Sequence, residues 1–225
     1  PSTLSHVTLA AKTRDGAVIE GQAVACHSDT ALERVKLRCD GAIEPYGPAL
    51  DAIRAADLIV LGPGSLFTSI VPNLLVPGVV DAIRASHGKT LFVCGLADVQ
   101  GETWGLTARE HVEALMAHGM RGLIDYMLVH TPEPLRPDGS SSGELAGAVA
   151  RNAGVATAGG QGSEAAGRAV RPVPITYKDA MAIQAEGPIV IAKNLVDLER
   201  PTLHDPVAFR EALWGVLKLC RSRRM

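Results

Sequence analysis

The sequence predicts an α/β protein with a Rossmann-like, mostly parallel sheet flanked by helices and a β-hairpin near the start. Three observations predict it. From Pro48 onward, short apolar runs of strand length alternate with segments of helical period. The composition is 47% hydrophobic but only 4% aromatic, which suits an aliphatic core of closely packed helices and strands. The 225 residues are enough for one substantial core, and no linker long enough to divide two domains interrupts them, so residues 1–225 are read as a single domain.

The elements follow in order. Residues 6–13 and 17–25 carry partly apolar alternation around Arg14, Asp15 and Gly16, the pattern of strand, tight turn, strand. Residues 33–38 add a short strand before Gly41 and Pro45 break the pattern. Then come a helix over 49–55, a buried strand over 58–61, a helix over 77–86, a strand over 90–94, a helix over 107–118 and a strand over 126–130. Thr107 with Glu110 three residues on forms a capping box, and Val112, Leu115 and Met116 supply the apolar face behind it. Residues 132–142 and 156–162, rich in Gly, Ser and Pro, read as loops. Strands follow over 170–176 and 189–192, and an amphipathic helix over 206–219 closes the chain with Val207, Leu213, Val216 and Leu217 on its apolar side.

Charge and cysteine usage exclude several functions. With 22 basic and 24 acidic residues the net charge is −2, so no overall field would hold a nucleic acid. The cluster Arg221, Arg223 and Arg224 suits a solvated helix end. Cys26, Cys39, Cys94 and Cys220 form no CxxC pair and predict reduced thiols, not a metal or redox motif. No apolar run approaches the roughly 18 residues of a membrane span. The reading is a cytoplasmic protein whose front looks cut, beginning Pro1-Ser2-Thr3. No metal or cofactor is expected, and homo-oligomerisation stays open.

The chemistry concentrates where the strand over 58–61 runs into Gly62-Pro63-Gly64-Ser65 and the hydroxyls of Thr68 and Ser69. Such a junction presents backbone N–H groups at the positive end of a helix dipole, and the carboxyl end of a parallel strand is where ligands of open α/β sheets lie. The same residue types also make ordinary helix caps. The loop fits neither the Walker pattern nor GxGxxG, and Ser65 is in no GxSxG elbow. At the next strand end, Gly101, Glu102 and Thr103 form a second polar loop, in which Glu102 reads first as a solvated carboxylate of a surface turn and otherwise as a group that orients a sugar hydroxyl or acts as a base. His111 reads as a hydrogen-bonded structural histidine or a cleft residue. His204-Asp205 has no further histidines or carboxylates in a metal-binding pattern, and Asp205 suits the cap of the helix beginning at Pro206.

The run ADLIVLGPGSLFTSIVPNLLVPGVVDAI, residues 56–83, resembles the YvcK family of gluconeogenesis factors, a branch of the YvcK/CofD superfamily. GET at 101–103, EHVEAL at 110–115, IDYMLV at 124–129 and the pair His204-Asp205 support the likeness, which is weakest between Arg136 and Pro174. The resemblance implies a Rossmann-like fold with an inserted hairpin and a UDP-sugar-binding regulatory protein, linked to cell shape, envelope synthesis and growth on gluconeogenic carbon sources. By that resemblance the ligand-binding residues are Gly62, Pro63, Gly64, Ser65, Thr68, Ser69, Asn73, Gly101, Glu102, Thr103 and His204, with catalytic residues unassigned.

Three departures stand beside it. The family's amino-terminal GGGTG unit is not in this chain, its NxMTQPGET reads GLADVQGET, and Leu203 stands where an arginine often precedes His-Asp, although Arg200 is close. The alternatives are a CofD-like 2-phospholactate transferase of coenzyme F420 biosynthesis, a phosphoacid or nucleotidyl-linked transferase in class, and a truncated scaffold without a ligand. The CofD loop resembles PSNPxxSIGPIL, which differs from GPGSLFTSIVPNLL here and favours the binding-protein branch.

Overall fold

A computed structural model describes residues 1–25, 28, 30–99, 101–137, 170–200 and 202–222. The expected loop over 156–162, most of that over 132–142, Cys26, Gln100, Arg223 and Arg224 lie outside these residues.

The chain opens with strands β1 (Thr8–Thr13) and β2 (Val18–Glu20), a single helical turn α1 (Gln22–Ala25) and strand β3 (Leu32–Arg38). These strands form an antiparallel sheet in the order β2-β1-β3. The predicted hairpin is present, but its second arm is three residues of strand, because the chain turns at Gly21 (φ 93°) into α1 where more strand was expected. Leu9, Ala11, Leu32 and Val35 are buried and turn one face of this sheet onto the main body.

The body alternates as the hydrophobic rhythm predicts. Helix α2 (Gly47–Ala55) leads to β4 (Leu58–Leu61), a π-helical turn (Leu66–Ile70) runs straight into α3 (Val71–Leu74), and α4 (Val79–Ala85) leads to β5 (Lys89–Val93). The short strand β6 (Ala97–Val99) precedes α5 (Ala108–Leu115), which carries the predicted capping box: Glu110 N donates to Thr107 Oγ1 at 3.2 Å and Thr107 N to Glu110 Oε2 at 2.7 Å. A second π-helical turn (Met116–Met120) ends that helix at Gly119, φ 101°. Strand β7 (Tyr126–His130) follows, then β8 (Val170–Pro172), α6 (Tyr177–Ala185), β9 (Ile189–Lys193) and α7 (Pro206–Ser222).

Strands β4, β5, β7 and β9 form a parallel sheet in that order. Alternate residues feed two cores, as the two-residue period of a strand requires. Phe92 and Met127 face Phe67, Val71, Leu115 and the antiparallel sheet; Leu91, Val93, Tyr126 and Leu128 face Ala212, Val216 and Cys220 of α7. The latter three are spaced four residues apart, one helical stripe. Val207, expected on that stripe, is 54% exposed, because the buried face of α7 begins one residue later at Ala208 and Phe209.

Two other expectations are corrected. The strand over 170–176 stops at Pro172, where prolines at 172 and 174 remove ladder donors, and β8 pairs antiparallel with β6 outside the main sheet. Helix α6, not anticipated, starts from its own capping box, with Asp179 N donating to Thr176 Oγ1 and Thr176 N to Asp179 Oδ2. Among the described residues, no single helix is long and apolar enough to cross a membrane.

Candidate functional site

The loop after β4 leaves the sheet through a cis Gly62–Pro63 peptide, with Gly62 at φ 90° and packed against the end of β5: a Cβ added there would lie 2.8 Å from Val93 O. Only glycine fits so close an approach in that conformation. Pro63, Gly64 and Ser65 are exposed at the carboxyl rim of the sheet, the predicted position for a ligand loop.

Behind it lies an element absent from the sequence reading, the π-helical turn. Ser65 O accepts from both Ser69 N (3.0 Å) and Ile70 N (2.9 Å). Pro72 supplies a reason: it has no amide to donate to Thr68 O, and its ring crowds that carbonyl, so the turn is wide before α3 begins.

The start of this helical segment is already met by a carboxylate. Glu102, from the turn after β6, accepts on Oε1 from Phe67 N (2.6 Å) and Thr68 N (2.9 Å), and on Oε2 from Thr68 Oγ1 (2.9 Å). Negative charge at a helix N-terminus is favourable, and two otherwise unmet amides gain a partner. Gly101, at φ 119°, allows the turn that brings Glu102 there, and the Glu102 carbonyl accepts from Leu32 N at 2.9 Å, tying β3 to the same point.

Next to Glu102, Thr103 Oγ1 donates to Asp98 Oδ1 at 3.0 Å. Asp98 is fully buried and accepts further bonds on Oδ2 from Gly105 N (2.7 Å) and Arg171 Nε (2.9 Å). The Arg171 guanidinium lies 4.6 Å from the centre of the Trp104 ring. Arg171 escaped the sequence reading because it lies in the stretch where the family likeness is weakest and has no local pattern. Asp98 was visible only as a departure from the family motif, and the pairing of β6 with β8 brings the two together.

The predicted residues thus divide. Gly64, Ser65 and Ser69 are exposed on the loop and its helix. Thr68 and Thr103 are buried and give their hydroxyls inward, to Glu102 and Asp98. Asn73 bonds Ser69 O through Nδ2 (2.7 Å) and accepts from Ser2 Oγ (2.8 Å), joining the chain start to this helix.

His204 lies further along the same rim. It forms an isolated bridge with Val196 and stacks edge-on to Phe209 at 5.2 Å, while its Nε2 is buried without a hydrogen-bond partner. Burial, then the nearby His130 at the end of β7, holds its pKa below the usual imidazole value. Strands β4 and β7 are two spacings apart, roughly 10 Å, so the rim separates the glycine loop from the histidines by about that much. Asp205 caps α7, with Ala208 N donating to Oδ1 at 2.6 Å. An open hollow of about 540 Å³ lies beside it, lined in part by Asn194, Asp197 and Glu199. Arg200, near the position of the family arginine, is bound to Asp197 through Nε and Nη2 at 3.0 and 2.8 Å.

His111 is structural: it is buried, and Nδ1 donates to Thr107 O at 2.8 Å. Cys94, fully buried, has its thiol pKa pushed up to about 12. Among the described residues, no group of three or more His, Cys, Asp or Glu side chains is placed to hold a metal.

A family model described as 2-phospho-L-lactate transferase CofD matches residues 1–152, which carry both the glycine loop and the Glu102 turn. The chain belongs to the CofD family. It is also similar to proteins named gluconeogenesis factor: 38% identical over 130 residues to that of Halalkalibacterium halodurans, covering 58% of this chain and 40% of the relative. It is likewise 38% identical over 133 residues to the gluconeogenesis factor of Bacillus subtilis strain 168, covering 59% and 42%. A protein of Aquifex aeolicus provisionally given the same name is 31% identical over 227 residues, covering 97% of this chain and 60% of its own length. The crystal structure of a UPF0052 family member from Bacillus halodurans matches with a TM-score of 0.71 at 29% identity, over 94% of this chain and 60% of that one. The chain therefore spans less than two thirds of the length of each of these proteins.

Proposed function

We propose that this member of the CofD family is a cytoplasmic regulatory protein that binds a nucleotide-sugar, a UDP-sugar in particular, along the carboxyl rim of its parallel sheet. The observation that carries this reading is the glycine loop at Gly62 to Ser65. It is exposed at the end of β4, backed by a helical segment, and followed along one rim by the histidines at the end of β7. An elongated ligand fits such a rim: phosphates lie against Gly64, Ser65 and Ser69, while the more distant His204 meets its other end.

Glu102 and Thr103 act in this reading as the wall that holds the loop, with the backbone near Gly101 at the cleft edge. The relatives named gluconeogenesis factor support a link to gluconeogenesis, and the setting in gluconeogenic growth, cell shape and envelope synthesis is what the YvcK resemblance implies.

Isothermal titration with UDP-N-acetylglucosamine tests the proposal. Saturable binding is expected, together with its loss in Gly64→Ala, whose added Cβ makes only ordinary contact at 3.8 Å with Ser69 and so leaves the fold intact. Absence of heat at millimolar ligand overturns it. A transferase reading follows from the name of the family model. Product formation from a deazaflavin acceptor and a nucleotide-activated phospholactate would establish that alternative.

A further inference from the structure

We infer that Arg171 is an anion-anchoring residue of the rim, supplying the fixed guanidinium that meets a phosphate of the ligand. This deepens the nucleotide-sugar reading and rests on it for the identity of the ligand, though not for the anion.

The geometry is that of a guanidinium held from one side and open on another. Arginine has five N–H donors in a rigid fork. The buried carboxylate of Asp98 takes one of them, Nε, at 2.9 Å, and shares its two oxygens with Thr103 Oγ1 and Gly105 N. Among the described residues, the Nη edge makes no hydrogen bond. The side chain is 40% exposed, while Asp98 has no exposure at all. Trp104 covers one face of the planar group at 4.6 Å, which fixes its plane without using a donor.

An arginine can close on a carboxylate as a two-bond fork, as Arg200 does on Asp197. At Arg171 the contact is through Nε alone, so the paired Nη groups remain for a second anion.

The position agrees. β6 begins just after the end of β5, on the rim that also carries Gly62. Arg171 is linked to Asp98, Asp98 to Thr103, and the adjacent Glu102 to the amides of Phe67 and Thr68 behind the glycine loop. One hydrogen-bonded framework therefore positions both the loop and the guanidinium. It also answers the absence of an arginine at Leu203: a cation for the rim arrives from a different strand.

The test uses pyrophosphate and UDP-N-acetylglucosamine on the purified protein, followed by the arginine Nε–H signals in ¹H–¹⁵N spectra. The Arg171 signal is assigned by its disappearance in Arg171→Lys. That variant keeps a charge opposite Asp98 but has no fork. The expected result is a saturable shift of the Arg171 signal with pyrophosphate, and at least tenfold weaker pyrophosphate binding in Arg171→Lys. An unmoved signal, or Arg171→Lys binding pyrophosphate within twofold of the wild type, overturns the inference. Absence of pyrophosphate binding to the wild type overturns it as well. If pyrophosphate binds through Arg171 and the UDP-sugar does not bind, the anchor stands and the nucleotide-sugar reading falls. Should Arg171→Lys fail to fold, through-bond correlation from the Arg171 backbone assigns the same Nε–H signal on the wild type alone, so a folding defect in the variant does not decide the outcome.

Discussion

Glu102 and Thr68 are joined twice, the carboxylate accepting from the Thr68 amide on one oxygen and from the Thr68 hydroxyl on the other, both at 2.9 Å. Because Phe67 N also donates to it, one side chain from a distant turn completes the start of the helix behind the glycine loop. Glu102→Ala leaves two backbone amides without that partner and should cost about 1–3 kcal/mol. Thr68→Val removes only the hydroxyl contact and should cost about 1 kcal/mol. Urea denaturation of both variants and the double variant checks this. Strict additivity would show that the two residues are not coupled.

The two loop glycines separate stability from binding. Gly62→Ala places a Cβ 2.8 Å from Val93 O at a φ of 90°, so it should be destabilised by roughly 1–2 kcal/mol from conformation alone, with the clash added. Gly64→Ala meets only ordinary contacts and should melt near the wild type. Thermal unfolding of the pair decides it, and equal melting temperatures would refute the close approach at Gly62.

Asp98 holds three donors while fully buried. Asp98→Ala takes the carboxylate from Arg171 and strands the hydroxyl of Thr103 and the amide of Gly105. The expected loss is about 1–3 kcal/mol, the cost of leaving the buried hydroxyl and amide unpaired, since the half-exposed guanidinium can turn to water. Chemical denaturation reads it directly. A variant within 1 kcal/mol of the wild type would remove Asp98 from its place at the centre of this framework.

Acid should weaken the fold through its histidines. His118 donates from Nδ1 to Ala114 O at 2.7 Å, and its Nε2 accepts from Val35 N at 3.4 Å; His130 Nδ1 accepts from Leu195 N at 3.1 Å. An accepting nitrogen cannot carry a proton, so each contact requires the neutral ring. Burial, the largest cause in each case, lowers the pKa of His111, His118, His130 and His204 below the usual imidazole value of about 6.5. The unfolded chain therefore binds more protons between 6.5 and the depressed values. Stability should be fully present above about pH 6.5 and fall as pH drops through that value. Urea midpoints measured from pH 8 to pH 5 check the direction, and a flat profile would contradict it.

Thiol reactivity should divide by burial. Cys94, with no exposure and a pKa raised to about 12, should resist a disulfide reagent at pH 8 until the protein unfolds. Cys39, half-buried at the end of β3, should react in the native protein. Mass spectrometry after brief labelling distinguishes them.

Much of this architecture was legible without coordinates. The strands over 58–61 and 126–130 were found with both their ends, and those near 90–94 and 189–192 to within a residue, because each is a short continuous apolar run. The Thr107–Glu110 box was legible because both partners lie within one turn. The run from Ala56 to Ile83 was enough to indicate the family and the glycine loop. Features outside this reach join residues far apart in the chain: Glu102 to Phe67, Asp98 to Arg171, His118 to Val35.

Local sequence records backbone preference and hydrophobic period, which depend on neighbours within about a turn or a strand. It does not record which carboxylate will reach an unmet amide once the sheet has formed. The sequence alone therefore determined the fold class, the family likeness and the loop at Gly62. The tertiary structure alone decided that Thr68 and Thr103 turn inward, that Glu102 completes the helix, and that a guanidinium from β8 stands on the same rim. Hydrogen-bond partners are chosen by proximity in space, and proximity is a property of the assembled sheet.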